Sequence, residues 1–198
     1  MGLPRVLFLD ACVLYPAPVR DVFMRLALAD MVRLRWSEKV HEEWMENLLQ
    51  QRSDLTPARL KQIPAKMAEA LESQEPLVTG YEYLLSQIDL PDLNDRHVVA
   101  AAVVGKAEAI LTFNLKDFPQ HVLEAWDLEV YSPDEYLIEL MDLLIRGEGV
   151  PQKLLELLKK QREALKNPPL DHKGFLGALE RAGLRGFARA LRGFEHMI

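Results

Sequence analysis

Asp10 follows the apolar run Val6-Leu7-Phe8-Leu9 with no residue between. An acid directly after four apolar residues stands at the carboxyl end of a buried strand. In open α/β sheets, ligands bind at that rim. The same position also suits a carboxylate that caps a turn. Three further acids stand where chemistry could use them. In Ser37-Glu38-Lys39-Val40-His41-Glu42-Glu43-Trp44, the acids Glu38, Glu42 and Glu46 recur at intervals of four, as on a solvated helix face. Glu43 lies about 100° further round, beside Val40 and Trp44, and is the better candidate to face inward. Asp92 and Asp95 flank Asn94 ahead of the apolar stretch Val98-Val99-Ala100-Ala101-Ala102. Asp92 or Asn94 suffices to cap that helix, which leaves Asp95 free to face a ligand. Asp117 follows Ile110-Leu111-Thr112-Phe113-Asn114, where Thr112 and Asn114 could orient a carboxylate or a bound water.

If these four segments converge, several negative charges share one pocket, and they need a cation or raised pKa values to coexist. An all-oxygen donor set suits Mg²⁺ or Mn²⁺ rather than zinc. Paired ions of that kind activate water and stabilise the leaving oxygen of a phosphodiester. Other chemistries lack their signatures. The chain has no GxGxxG, P-loop, GxSxG or HExxH pattern. Cys12 has no base beside it in sequence and reads as a small buried residue. His97 stands two residues after Asp95, as a ligand, a proton shuttle or a packing residue.

The elements that must position these acids alternate between strand and helix. Strands are expected at Val6–Leu9, Val32–Trp36, within Pro76–Gly80, at Ala109–Phe113 and at Glu129–Tyr131. Helices are expected over 21–31, from the Ser37 cap to about Gln51, from Thr56-Pro57 with an interruption at Ile63-Pro64, over 96–106, and from the Ser132-Pro133 cap. The alternation indicates an α/β fold with a parallel sheet flanked by helices. Gly147 to Pro151 reads as a boundary. It divides the chain into a domain of residues 1–147 and an α-helical C-terminal extension of residues 148–198, with helices over 152–166 and 173–187.

Composition bounds the rest. The net charge is −6, but it is uneven: residues 1–150 carry −11 and residues 151–198 carry +5. A basic segment on an acidic body reads either as a solvated helical surface or as a contact for nucleic acid or an acidic partner. No apolar run reaches 18 residues, so no membrane span is expected. The N-terminal apolar run is too short for a signal peptide, and one cysteine allows no internal disulfide, so a cytoplasmic location is expected.

Taken in order, LFLDACVLYP, SEKVHEEW, LPDLNDRHVVAAAV and ILTFNLKDFP resemble the PIN-domain family, and VapC-type toxins within it, over about residues 5–140. The order and spacing of the four segments carry the resemblance. It implies a metal-dependent endoribonuclease, with Mg²⁺ or Mn²⁺ held by Asp10, Glu43, Asp95 and a fourth acid. Many relatives have that acid where this chain has Asn114; here Asp117 is the remaining charge, with Asn114 and Thr112 in support. Cys12 replaces a polar residue common in relatives. The resemblance further implies RNA hydrolysis by metal-activated water, an antitoxin protein as partner and a homodimer. The segment KNPPLDHKGFLGALERAGLRGFARAL resembles the extension of longer VapC-like proteins. Two alternatives stand beside this one: a PIN-like nuclease of RNA maturation or DNA without an antitoxin, and a catalytically idle nucleic-acid-binding module. A neighbouring small gene for a DNA-binding protein separates toxin from maturation nuclease, and metal titration separates enzyme from module.

Overall fold

The computed structural model describes residues 2–198; Met1, the first residue of the expected nuclease domain, lies outside them. Five parallel strands form one sheet in the order β3-β2-β1-β4-β5. They are β1 (Val6–Leu9), β2 (Arg33–Ser37), β3 (Leu77–Val78), β4 (Ala109–Leu111) and β5 (Glu129–Tyr131). β1 is paired on both sides, with Phe8 opposite Arg35 on β2 and Ile110 on β4. A central parallel strand is covered on both faces, which explains its unbroken apolar run. Leu7, Phe8 and Leu9 are fully buried.

The helices are α1 (Ala11–Leu14), α2 (Ala17–Leu28), α3 (Glu38–Gln51), α4 (Pro57–Leu60), α5 (Gln62–Ala70), α6 (Arg96–Val104), α7 (Gln120–Leu123), α8 (Pro133–Glu148), α9 (Gln152–Ala164), α10 (His172–Arg181) and α11 (Arg185–Leu191). Ser37 caps α3 by accepting from the Val40 N–H. Ser132 and Glu135 close a reciprocal capping box on α8. α6 packs against β1, β2 and β4, so its apolar surface is used almost all round.

Three local expectations change. Pro16 and Pro18 read in the sequence as a break ahead of a helix at residue 21, but Pro18 sits in the first turn of α2, where its missing N–H costs no hydrogen bond, and α2 starts four residues earlier than expected. Pro64 likewise occupies the first turn of α5, and the interruption falls at Lys61. The helix expected over 173–187 is two helices. Gly183 adopts φ +101°, a backbone that side-chain-bearing residues rarely take, and α11 starts afresh after it.

The helices after α8 return to the sheet domain. α9 packs on α2, and the buried Gln161 amide donates to the Pro18 carbonyl at 2.9 Å. α11 packs on α8, where both oxygens of Asp134 accept backbone N–H groups: Gly186 at 2.8 Å and Phe187 at 2.8 Å. A carboxylate at the start of a helix meets exposed N–H groups and the positive end of the dipole.

Candidate active site

β1 leads out to β2 and β3 on one side, while β4 and β5 lie on the other. The strand order reverses beside β1, and the adjacent carboxyl ends of β1 and β4 open the crevice where such sheets bind ligands. Asp10 stands there. Its N–H donates to the Leu111 carbonyl at 3.1 Å, which carries the pairing of β1 and β4 to the rim. The side chain is 8% exposed and accepts three hydrogen bonds. Oδ1 accepts from the Ala11 N–H at 2.6 Å; Oδ2 accepts from the Thr112 hydroxyl at 2.7 Å and the Cys12 thiol at 3.0 Å. Asp10 therefore caps α1 from a place at the carboxyl ends of β1 and β4.

Thr112 and Cys12 are the second layer. The buried Thr112 hydroxyl accepts from the Asn114 N–H at 3.0 Å while it donates to Asp10. Cys12 Sγ accepts from the Phe113 N–H at 3.2 Å. The loop after β4 is thus tied to the residues that hold Asp10. Burial, and then the charge of Asp10, push the Cys12 thiol up to about 12. It stays protonated and donates, which is the opposite of what a nucleophilic cysteine needs. Asn114 contributes this backbone N–H, and its side chain is exposed.

Asp95 enters from the start of α6 with no capping hydrogen bond from its own side chain. Partial burial raises its pKa first, and the charges of Asp10, Asp92 and Asp117 raise it further, to about 6; His97 pulls the other way. Asp10, Asp95 and Asp117 therefore lie within one field, and Asp92 shares it. Glu43 joins from α3 by another route. Its Oε1 lies 3.0 Å from His97 Nε2 and 3.6 Å from Lys39 Nζ, while Glu42 is exposed. The periodicity argument for Glu43 over Glu42 thus agrees with the structure. His97 is buried and bridges Glu43 to the vicinity of Asp95, and its Nδ1 has no hydrogen-bond partner. Sequence reasoning gives the weight to packing for this residue; its position two residues after Asp95 is the available signal.

The donor set is all carboxylate, and the charge that accumulates on Asp95 is opposed within the protein chiefly by His97. That chemistry fits a divalent cation. Among the described residues, no three His, Cys, Asp or Glu side chains close tightly enough to enclose an ion by themselves. The apolar groove of about 510 Å³ between α2, α5, α9 and α10, lined by Met24, Leu28, Met67 and Phe175, includes no acid of this cluster.

Residues 133–193 match the family model described as the VapC50 C-terminal domain. The chain is also 34% identical over 100 residues to a Mycobacterium tuberculosis (strain ATCC 25618 / H37Rv) protein named "Putative ribonuclease VapC50". Both are matches to VapC50 sequences, each over part of the chain. The aligned part covers 50% of this chain and 55% of that relative, so the chain spans about half the length of the protein it matches. No solved structure matches. The VapC-type match over 133–193 opens at α8, and in the structure α8 is the helix on which α11 is latched through Asp134. Among the described residues, no helix is long and apolar enough to cross a membrane.

Proposed function

We propose that the chain is a divalent-metal-dependent endoribonuclease and the toxin of a type II toxin–antitoxin pair. The carrying observation is that Asp10 stands at the adjacent carboxyl ends of β1 and β4, that the charges of Asp10 and Asp117 both reach Asp95, and that His97, two residues on, lies 3.0 Å from Glu43. Asp10, Glu43, Asp95 and Asp117 are the residues that would hold Mg²⁺ or Mn²⁺. When bound, such an ion lowers the pKa of water and offsets charge on a phosphodiester.

The chain's own residues supply orientation. Asp10 is held by the Ala11 N–H, the Thr112 hydroxyl and the Cys12 thiol, which leaves its carboxylate little freedom to turn. His97 sets the direction of Glu43 from the facing helix. No side-chain nucleophile is needed, since water attacks the phosphorus in line and the 3′ oxygen leaves. The relative's printed name, a ribonuclease, supports RNA over DNA as substrate.

The test is cleavage of a mixed RNA pool by purified protein with Mg²⁺ or Mn²⁺, beside EDTA and Asp10→Asn controls. Cuts that vanish in both controls support the reading. Cleavage that persists in a well-purified Asp10→Asn protein overturns the site, and no cleavage of any RNA overturns the enzyme in favour of the binding module. The antitoxin and the homodimer are part of the same proposal. Co-expression with a neighbouring DNA-binding protein and light scattering of the purified chain test them. A cytoplasmic location accords with an RNA target.

A further inference from the structure

Of the net charge of +5 on residues 151–198, +4 falls between Arg181 and Arg192. From Arg181 to Arg192 there are four arginines and no acid. Arg192 pairs with Glu180 at 2.6 Å. Arg181, Arg185 and Arg189 are exposed, and among the described residues none has a carboxylate within ion-pairing distance. Leu184, Phe187, Ala188 and Leu191 point inward on α11, which leaves Arg185 and Arg189, one turn apart, on its outer face.

The tertiary structure sets this cationic segment against the loop that follows β4. At Gly183 an added Cβ would stand 2.7 Å from Phe113 Cε1, so the turn between α10 and α11 lies directly on that ring. Phe113 sits between Thr112, whose hydroxyl holds Asp10, and Asn114. Arg181 and Arg185 are each two residues from Gly183, so their Cα atoms lie within about 7 Å of it. The Asp134 carboxylate latches the N–H groups of Gly186 and Phe187 and fixes the turn in place. The rest of the chain is net acidic and would repel a polyanion.

We propose that Arg181, Arg185 and Arg189 form the seat for the phosphate backbone of RNA as it runs into the acid crevice. This rests on the ribonuclease reading and adds to it the part of the chain that attracts the substrate. Guanidinium groups match phosphate geometry and bind it without reading sequence. The acidic residues 1–150 repel the strand, so association leans on the extension and on these arginines within it.

The test compares the wild-type full chain with the triple variant Arg181→Gln/Arg185→Gln/Arg189→Gln. Binding of a fluorescent single-stranded RNA 20-mer is followed by anisotropy in EDTA across a salt series, with the RNA checked for integrity. The expected result is about tenfold weaker binding or more, and a log K against log salt slope shallower by about two, from three lost phosphate contacts. With divalent ion present, KM should rise while kcat holds. An unchanged melting temperature shows that the variant is folded. Wild-type binding that the variant retains in full overturns the proposal and points to an acidic protein as the occupant of the patch, and a wild type that binds no RNA also overturns it. Wild-type binding without cleavage, lost in the variant, overturns the nuclease reading and leaves the seat standing.

Discussion

Asp95→Asn should make the metal-free protein more stable while it removes activity. The carboxyl of Asp95 is raised from 3.8 to about 6 by burial and by Asp10, Asp92 and Asp117. At full weight, a displacement of that size disfavours the folded anion by about 3 kcal/mol. Asp95 is only half-buried, and solvent screening reduces this to about 1 kcal/mol. Asn loses the favourable charge at the start of α6, worth about 0.3–1 kcal/mol, but no capping hydrogen bond. The net expectation is a melting temperature about 1 °C higher in EDTA at pH 7.5. The sign comes from linkage. Above pH 6, Asp95 is charged in both states and the folded state carries the penalty. Below 3.8 it is neutral in both and the penalty is gone, so the wild type gains on the variant as pH falls from 6 to 4. Divalent ion should reverse the order at pH 7.5: at 100 times its Kd an ion adds about 2.7 kcal/mol to the protein that binds it. Thermal denaturation of both proteins, at both pH values and with and without Mg²⁺, reads all of this. A variant no more stable than wild type in EDTA at pH 7.5, or an advantage undiminished at pH 4, would refute the shared field.

Thr112→Val keeps the shape of the side chain and removes the hydroxyl between Asp10 and the Asn114 N–H; denaturation should show a loss of about 1–3 kcal/mol. Cleavage should fall about tenfold to a hundredfold, with Thr112→Ser restoring most of it. His97→Ala should lower cleavage by a similar factor of about ten to a hundred through loss of the contact that directs Glu43, and His97→Gln should recover part of it. Asp134→Ala removes both acceptors at the start of α11 and should cost about 2–4 kcal/mol in denaturation, with the extension the first part to lose protection in hydrogen exchange.

Much of the site is legible because local chemistry and placement coincide. The place of Asp10 is readable since a short apolar run suits a covered strand, and the residue after its carboxyl end lies at the rim of the sheet. Glu43 is readable because a helix repeats every 3.6 residues, which separates it from the solvated series of Glu42 and Glu46. Thr112 reads as an orienting group and does contact Asp10, whereas Asn114 acts through its backbone, which any residue would supply. Pro18 and Pro64 mislead because proline breaks a helix interior yet suits its first turn, and only the position of the start distinguishes the two.

The sequence by itself determined the alternating elements, the parallel sheet, the caps at Ser37 and Ser132 and the identity of the candidate acids, because these depend on periodicity and on residues a few positions apart. Tertiary structure decided everything that joins distant segments. Cys12 meets Thr112, 100 residues away in the chain, and shares Asp10 with it only because β1 and β4 are neighbours. His97 meets Glu43 only because the fold brings a side chain of α6 within reach of one from α3. The turn of the basic extension settles on Phe113, just past β4, only because Gly183 has no side chain. Contacts of this kind depend on which elements share a face of the sheet, and no local pattern carries that information.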